Sequence, residues 1–578
     1  MTDKQAIKKL MTLLSKYKLT ISIIIGILTF STVLNLCIPL FSRKIMDDGF
    51  IGGNGLLLVK ISVASFCVFT LIAILNLLTE KLRINLSAKI QYLLHEKAFN
   101  HLMHVHMGFY DRKNYAETFS NLNMDISNMT SIADEGMFFV VTQIFSIIGG
   151  IIGLFILDYR MTIIVLMFIP FKYFVMKFFA KKRKEMMDSF INVSKDYAGW
   201  FGDTVGGVRE IRLLGLPNRK KEEFSINQAK VINELKKLNI LSQWNVGIDS
   251  IMVQALVLVI YIVGANLVFD MGLTVGTVFA FITYSVYVTG PISAVLNIKY
   301  LLSGIIPSTK RYYDFLSEPE ESSADGKELP AWDEVIFDKV TFSYDEKIPA
   351  VEDINLCILK GHKIVFVGKN GCGKSTIIEL LLRLRKPQVG NIRVGDINIE
   401  ELSLMKYREL FSVVSQDVYL FNDTIRNNIR LYKDIDDETI NKACEDSGLA
   451  DFIKEVSLDY NVGANGAMLS GGQKQKVALA RALVLDRPIF ILDEATSNAD
   501  VSSELQINSL LRTRLKEKTV IVISHRESVL KEMDQIILMD AGKVVWNSGY
   551  EELIESDLYK QFPKGTMINL IPLNSDIP

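Results

Sequence analysis

The sequence has few of the residues that build disulfides and metal sites. It contains five cysteines and six histidines in 578 residues. The cysteines follow no metal-like or disulfide-like spacing, so free thiols are expected at Cys37, Cys67, Cys357, Cys372 and Cys444. Four histidines lie within residues 95–106, where His101 and His104 could share a helix face, but no cysteine or carboxylate cluster completes a ligand set. The net charge of −1 gives no electrostatic reason to expect nucleic-acid binding.

Apolar residues are unevenly distributed along the chain. They make up 49% of it, with a mean hydropathy of +0.24, but long apolar runs occur only before about residue 305. A helix needs about 20 mostly apolar residues to cross the hydrocarbon core of a bilayer. Six stretches qualify, at about 19–41, 56–79, 137–157, 161–180, 250–269 and 274–303.

Basic residues predict the orientation of these spans. Segments 1–18, 81–136 and 181–249 carry 24 Lys and Arg together, whereas the three alternate loops carry 3. Because basic segments stay in the cytoplasm, both termini and everything after the sixth span are expected inside. Helical spacing in residues 81–108 and 181–206 predicts that two spans continue as helices into the cytosol.

A polar, breaker-rich stretch divides the chain into two predicted domains. Residues 317–332 contain Pro, Gly, Ser and acidic residues, as linkers do. Before them, residues 1–316 are predicted to form an all-α transmembrane domain of six helices. From Asp333 onward, strand-like runs alternate with helical ones, which predicts a parallel α/β domain over residues 333–578.

The α/β part contains a phosphate-loop pattern in the required strand–loop–helix setting. Strand Ile364–Val367 leads into a glycine-rich loop and then into the helical segment Ile377–Arg385. Backbone N–H groups of such a loop close around phosphate oxygens, Lys374 neutralises the β- and γ-phosphates, and the Ser375 hydroxyl is placed for Mg²⁺. The predicted ATP ligands in this loop are Gly368, Lys369, Asn370, Gly371, Cys372, Gly373, Lys374, Ser375 and Thr376.

Two carboxylates follow a second buried strand, Ile489–Leu492. Asp493 lies at the strand end, where it can hold Mg²⁺ through water. The adjacent Glu494 is then available to orient and polarise the attacking water, which makes it the predicted catalytic base. Together with the loop, the pair predicts an ATP hydrolase.

A further string narrows the class of ATPase. Leu469-Ser470-Gly471-Gly472-Gln473, followed by a run that ends at Arg481-Ala482, resembles the signature of ABC ATPases. Ser470 and the glycines would open a helix whose N–H groups form a second anion site, aimed at the γ-phosphate bound by another subunit. The resemblance covers nearly the whole chain and is best to the six-helix exporter branch. Phe109–Arg112 and Gly207–Pro217 resemble its two coupling helices.

The resemblance also implies roles for single residues. Tyr344 resembles the aromatic residue that stacks on adenine, and Gln416 the glutamine that reaches Mg²⁺ and the attacking water. His525 matches the switch histidine near the γ-phosphate, with a packed side chain as the alternative. The sequence departs from the family at Ala464-Asn465, where exporters usually carry Glu and Arg, and at Asn498-Ala499 in the dimer-contact loop.

The resemblance implies an ATP-driven exporter in the bacterial inner membrane, in contact with lipid and working as a dimer. A second copy of the same chain is the expected partner, with a different chain left open. Peptides, lipids and amphipathic small molecules remain candidate substrates, with peptides slightly favoured. The competing function is a membrane-bound regulatory or sensor ATPase that moves nothing.

One charge lies deep within a predicted span. Lys172 is about twelve residues into span four, where an ammonium is unfavourable unless it faces water or a partner. It predicts either a cavity that attracts carboxylates or phosphates, or a pairing with a neighbouring helix.

Overall fold

A computed structural model of the chain describes residues 1–112, 115–133, 135–270, 272–321, 326–345, 348–493, 501–524 and 527–556. The chain divides into two compact units. The helical unit consists of Met1–Met103 and Lys113–Glu318. The sheet unit consists of His104–Arg112 and Pro319–Pro578. Glu494 to Asp500 and His525 lie outside the described residues.

The chain up to Phe315 is helical. A π-helix at Ile45–Ile51 continues the second helix, and a 3₁₀ turn covers Ser131–Ala133. The α-helices are α1 (Asp3–Ser15), α2 (Lys18–Lys44), α3 (Gly55–His104), α4 (Gly108–Arg112), α5 (Tyr115–Thr130), α6 (Glu135–Leu157), α7 (Tyr159–Gly206), α8 (Val208–Leu213), α9 (Pro217–Phe269), α10 (Val275–Thr289) and α11 (Pro291–Phe315).

Five of the described helical stretches are long and apolar enough to cross a membrane. The predicted extensions of two spans are confirmed, because α3 and α7 run unbroken for 50 and 48 residues. The sixth predicted span differs from expectation, since it consists of α10 and α11 with a break between them. Pro291 has no N–H to continue the hydrogen-bond ladder of α10, and it starts α11 instead.

Glycines of α6 let two helices approach it closely. A Cβ at Gly149 would lie 2.0 Å from the Leu36 side chain of α2. At Gly153 it would lie 2.7 Å from the ring of Tyr284 on α10. Small residues are the usual means of close helix packing in lipid, where hydrophobic attraction between helices is absent. The Tyr284 hydroxyl donates to the Leu36 carbonyl at 2.5 Å, which joins α10 to α2.

Lys172 is paired within the helical unit. Its side chain is fully buried, and its Nζ lies 2.8 Å from Oδ1 of Asp249 on α9. The expectation of an uncompensated charge that attracts anionic substrates is therefore wrong, and the alternative of a pairing between neighbouring helices holds. Asp249 immediately precedes the predicted fifth span, which begins at about residue 250, so the sequence pattern places it outside the membrane segment.

The sheet unit contains two sheets. A four-stranded antiparallel sheet has the order β2-β1-β4-β5, and a six-stranded sheet has the order β10-β9-β3-β8-β7-β6. The strands are β1 (Glu334–Phe342), β2 (Val351–Leu359), β3 (Lys363–Gly368), β4 (Val389–Val394), β5 (Ile397–Asn398), β6 (Phe411–Val414), β7 (Ile489–Asp493), β8 (Thr519–Ile523), β9 (Gln535–Asp540) and β10 (Lys543–Ser548).

Helices cover both faces of the larger sheet, in which β10 is the antiparallel edge strand. Val365 and Val367 of β3 join one hydrophobic core, while Ile364 and Phe366 join the other. A parallel strand buried on both faces is expected to be apolar throughout. The helices are α12 (Lys374–Leu381), α13 (Leu404–Arg408), α14 (Ile425–Arg430), α15 (Asp437–Asp446), α16 (Ala450–Val456), α17 (Gly471–Leu485), α18 (Val501–Arg512), α19 (Glu527–Leu530) and α20 (Tyr550–Glu555).

The cysteines are free, as expected from their spacing. Within the described part of the chain, no group of three or more His, Cys, Asp or Glu side chains could hold a metal ion. His95 instead contacts the Gln91 carbonyl and the Asn123 amide oxygen, both at 2.9 Å. The ring of His101 packs edge-on against Phe315.

Lys172→Met should lower the unfolding temperature, because Asp249 keeps a charge without its partner. Removing one partner of a fully buried pair costs about 3–5 kcal/mol. A smaller loss is expected here because Asp249 is 29% exposed. The double variant Lys172→Met/Asp249→Leu should recover most of the loss in thermal unfolding of the detergent-solubilised chain.

Lys177→Met is the matched control, since its ammonium lies over the Tyr173 ring at 5.8 Å and the residue is exposed. It should melt like the wild type. A double variant no more stable than Lys172→Met would contradict the ion pair.

Candidate nucleotide site

The glycine-rich loop connects β3 to α12. Gly373, which precedes the helix, has a φ of 104°, a backbone conformation that strongly favours glycine. A Cβ at this position would lie 2.6 Å from the Ala350 carbonyl oxygen and 2.7 Å from Val351 Cγ1. The loop is therefore held against the start of β2, and no larger residue fits there without a shift of the backbone.

Lys374 closes the loop on itself. Its side chain is buried, and its Nζ donates to the Gly368 carbonyl at 2.7 Å and to the Lys369 carbonyl at 2.9 Å. These bonds compensate the cost of burying an ammonium group. An anion that enters the loop would meet this ammonium and the free N–H groups at the start of α12.

The parallel strands bring the other predicted ligands to the same edge of the sheet. In register, Phe366 of β3 pairs with Ile523 of β8, which pairs with Asp493 at the end of β7. Strands lie about 4.8 Å apart, so the Asp493 backbone is about 10 Å from that of Phe366. Gln416 is exposed and follows β6, the next strand, by two residues. Ligands of open α/β sheets bind at this carboxyl edge.

Tyr344 lies beside α12. Its hydroxyl donates to Glu379 Oε2 at 2.9 Å and contacts Thr376 Oγ1 at 3.2 Å. The Arg385 guanidinium lies 5.2 Å from the centroid of its ring, within the range of a cation–π contact. Burial raises the pKa of Tyr344, so the phenol stays neutral at physiological pH. The residue as a whole is 46% exposed, which leaves surface for a planar ligand.

The predicted signature opens α17. The Ser470 hydroxyl accepts from the Gln473 N–H, and the Gln473 side chain accepts from the Ser470 N–H at 2.8 Å, which completes a capping box. A Cβ at Gly471 or Gly472 would meet no atom of the described residues within 4 Å. The helix start is thus rigid and faces open space, as a site for an anion on another molecule requires.

Arg481, to which the sequence analysis gave no role, ties α17 to the segment after Gln416. Its guanidinium donates to the Asn428 carbonyl at 2.8 Å, the Asn428 side chain at 3.1 Å and the Tyr419 carbonyl at 3.2 Å. Burial lowers the pKa of Arg481. Arg481 therefore joins the signature helix to the segment that follows Gln416.

The unusual loop at Ala464-Asn465 contacts the same elements. Asn465 has a φ of 49°, a conformation that asparagine tolerates better than most residues. Its carbonyl accepts from Lys474 Nζ of α17 at 2.8 Å, and its side chain lies 3.5 Å from the Leu420 N–H. The loop is thus bound within its own unit.

Comparison with known proteins agrees with this geometry. Residues 21–292 match the family described as ABC transporter transmembrane region, and residues 351–497 match the family described as ABC transporter. Two relatives align over 95% of this chain and 95% of their own length. They are the ABC transporter ATP-binding protein exp8 of Streptococcus pneumoniae serotype 4, at 26% identity, and the ATP-dependent lipid A-core flippase of Vibrio vulnificus strain CMCP6, at 28%.

A solved structure shows the same fold. The bacterial Atm1-family ABC exporter with ATP bound superposes with a TM-score of 0.79 at 21% identity, covering 93% of this chain and 96% of that one. The fold prediction of a helical membrane domain followed by an α/β ATPase domain is confirmed.

The chain belongs to the ABC transporters, as an exporter-type half-transporter with one transmembrane region and one ATPase in a single polypeptide. It is a multi-pass membrane protein that couples ATP hydrolysis to transport. This architecture implies dimerisation, since each chain has half of the domains that an ABC exporter uses.

Gly373→Ala should destabilise the nucleotide-free protein more than Gly371→Ala. Both residues have positive φ, 104° and 82°, so each alanine carries about 1–2 kcal/mol of backbone strain. A Cβ at Gly371 meets no atom of the described chain within 4 Å, whereas one at Gly373 collides with Ala350 and Val351. Thermal unfolding without nucleotide should rank the variants in this order, and equal melting temperatures would contradict the close approach of β2.

Proposed function

We propose that this chain is a homodimeric ATP-driven exporter of amphipathic lipid-like molecules in the bacterial inner membrane. The N-terminus, the long basic segments and the ATPase domain lie in the cytoplasm, because Lys and Arg concentrate in those segments. The predicted domain boundaries are residues 1–316, the linker 317–332 and residues 333–578. Export then proceeds from the cytoplasmic side outward.

ATP is the nucleotide that the loop would hold. Lys374 would bind the β- and γ-phosphates beside the N–H groups of residues 368–376, and Tyr344 would stack on the adenine. Ser375, Gln416 and Asp493 form an all-oxygen ligand set that fits Mg²⁺, which supplies neutralising charge at the phosphates when bound. Glu494 would polarise the attacking water, and His525 would contact the γ-phosphate.

A second copy of the chain would complete each site. The rigid, open start of α17 at Ser470-Gly471-Gly472-Gln473 would bind the γ-phosphate held by the partner, because its N–H groups carry partial positive charge. Every predicted catalytic and signature residue is present in this sequence. Two identical chains would therefore make two competent sites, which favours a homodimer over a heterodimer.

A polar groove within the helical unit carries the substrate proposal. A cavity of about 430 Å³ lies between α2, α3, α6 and the junction of α10 and α11. Its described lining includes eight hydroxyl or amide side chains and no charged one: Ser31, Thr32, Asn35, Asn76, Thr142, Gln143, Ser146 and Tyr287. Polar side chains at membrane depth are costly and usually functional.

The groove favours an uncharged hydrogen-bonding group on a molecule with apolar tails. Hydroxyls and amides can donate to and accept from a sugar or amide, whereas a free carboxylate or ammonium would find no counter-charge there. The relative named ATP-dependent lipid A-core flippase supports a lipid class. The sequence alone slightly favoured peptides, and neither the groove nor the named relatives support that preference.

Glu494→Gln should bind ATP yet lose turnover by about 100-fold or more, because general-base catalysis contributes 10²–10⁴-fold. With ATP and Mg²⁺, the variant should accumulate as a closed dimer. Native mass spectrometry should then give two chains of 65.2 kDa each. Near-normal turnover would refute the role of Glu494, and activity that needs a second gene product would refute the homodimer.

Asn76→Leu/Gln143→Leu should slow transport of a lipid with a neutral sugar head group. The assay is ATP-dependent translocation of a fluorescent glycosyl diacylglycerol in proteoliposomes, and the expected loss is about fivefold or more, since each lost hydrogen bond is worth about 0.5–1.5 kcal/mol. Thr70→Val is the matched control, because Thr70 is exposed on α3 and its hydroxyl donates to the Phe66 carbonyl.

A fluorescent peptide and an anionic phospholipid are the competing probes. Faster translocation of either would contradict the neutral lipid class. ATP hydrolysis without translocation of any of the three probes would favour the regulatory ATPase instead.

A further inference from the structure

The segment that includes α4 is attached to the sheet unit by backbone hydrogen bonds. It follows α3 directly in the chain, yet His104–Arg112 belongs to the sheet unit. Val105 forms an antiparallel bridge with Glu320. The His106 N–H donates to the Pro319 carbonyl at 3.2 Å, and the Glu321 N–H donates to the His104 carbonyl at 2.7 Å. These bonds hold His104–His106, at the end of α3, to Pro319–Glu321 within the sheet unit.

The linker side of this bridge is itself anchored. The Glu321 carboxylate accepts two bonds from the Arg408 guanidinium, at 2.8 and 3.0 Å. Arg408 also donates to the Leu382 and Arg383 carbonyls, which follow α12. Paired, two-bond contacts of this kind fix orientation as well as distance. Arg408 therefore connects the bridge between Val105 and Glu320 to the residues that directly follow α12.

A second connection involves side chains. Arg385 Nη1 lies 2.5 Å from Oδ2 of Asp111 on α4, and Arg385 Nε lies 3.0 Å from Oε2 of Glu379 on α12. The Arg385 side chain is 9% exposed, whereas the Asp111 side chain is 45% exposed, so water reaches the carboxylate end of this contact. The hydrogen bonds that Arg385 donates to the Asp111 and Glu379 carboxylates raise the pKa of its guanidinium. The arginine thus joins α4 to the helix that starts with Lys374.

The same arginine covers the predicted adenine-stacking residue. Its guanidinium lies over the Tyr344 ring, and the Tyr344 hydroxyl shares the Glu379 carboxylate with it. The ring is therefore fixed at its face by Arg385 and at its hydroxyl by Glu379. A planar base that stacks on Tyr344 either holds the ring in this position or displaces it. In the first case the contacts of the ring with Arg385 and Glu379 are strengthened, and in the second they are broken.

We propose that Arg385 is a positioning residue that links adenine binding at Tyr344 to the position of α4 through Asp111. This proposal rests on the proposed role of Tyr344 in ATP binding. An adenine base stacked on the Tyr344 ring determines the position of the Arg385 guanidinium, which in turn determines the position of the Asp111 carboxylate. Because α4 follows α3 after three residues, the state of the nucleotide site reaches a membrane-spanning helix within one chain.

The test is hydrogen exchange of residues 108–111 in the full-length chain in nanodiscs. The probe is adenylyl imidodiphosphate with Mg²⁺, which binds without being hydrolysed. In the wild type, the analogue should change exchange of this segment at least threefold. Asp111→Asn should abolish this response while the dissociation constant of the analogue stays within twofold, because Asp111 does not touch the nucleotide site.

Two further variants distinguish a link between the nucleotide site and α4 from a role of Asp111 in stabilising α4 alone. Asp111→Glu keeps the charge and should restore at least half of the response. Glu400→Gln removes the neighbouring exposed pair with Lys386 and should respond like the wild type. A response in Asp111→Asn equal to that of the wild type would overturn the proposal. Faster exchange of residues 108–111 in Asp111→Asn before the analogue is added would also overturn it, since Asp111 would then only stabilise α4.

Tyr344→Ala distinguishes this proposal from the proposed function. It should weaken binding of the analogue at least tenfold and remove the exchange response at saturating analogue. If binding is unchanged, the adenine assignment fails and the linkage fails with it. If binding weakens but the exchange response persists at saturation, the assignment stands and the linkage through Arg385 is refuted.

Discussion

The charge of a triphosphate can be held only by donors that converge on it, and this requirement dictates the backbone around Gly373. The loop approaches the Ala350 carbonyl so closely that a Cβ would lie 2.6 Å from it. That contact fixes the loop against β2, while Lys374 fixes it against the end of β3 through the Gly368 carbonyl. The start of α12, and with it Thr376 and Glu379, then takes one position. Tyr344 and Arg385 are placed in turn by these α12 side chains.

A different constraint orders the helical unit. Lipid offers no partner for polar groups, so each buried charge must find one inside the protein. Lys172 finds Asp249, so the two charges of this pair compensate each other. The described lining of the groove carries neutral polar groups, such as the Ser31 hydroxyl that donates to Asn76 Oδ1 at 3.2 Å. Neutral amides and hydroxyls can exchange internal bonds for bonds to a ligand at little cost. The compensated Lys172–Asp249 pair and the neutral groove therefore both favour a substrate with an uncharged head group.

The sequence predicted the features that depend on local pattern. The length of the apolar runs predicted the membrane spans, and the glycine spacing before Lys374 predicted the phosphate loop. Both patterns arise within one element and its neighbours. Features that join distant residues could not be predicted. Asp111 lies in the segment that resembles a coupling helix, but nothing in the sequence pairs it with the distant Arg385, and the pairing of Lys172 depends on how α7 packs on α9. The break at Pro291 was open to prediction, since proline cannot continue a helix from the preceding turn.

The departure from the family pattern at Ala464-Asn465 contrasts with the contact between Asp111 and Arg385. Loss of charge at Ala464-Asn465 leaves a loop that offers another subunit an amide and backbone groups, and part of these already bond Lys474 and approach Leu420. An uncharged contact between subunits is weaker and less sensitive to orientation than an Arg–carboxylate pair. The Asp111–Arg385 pair has the opposite character, since it is charged, joins a buried arginine to a half-exposed carboxylate and is contained within one chain. In the proposed dimer, the uncharged loop would contribute less to coupling than the ionic contact within the sheet unit. Coupling in this protein should therefore be more sensitive to Arg385 than to Asn465.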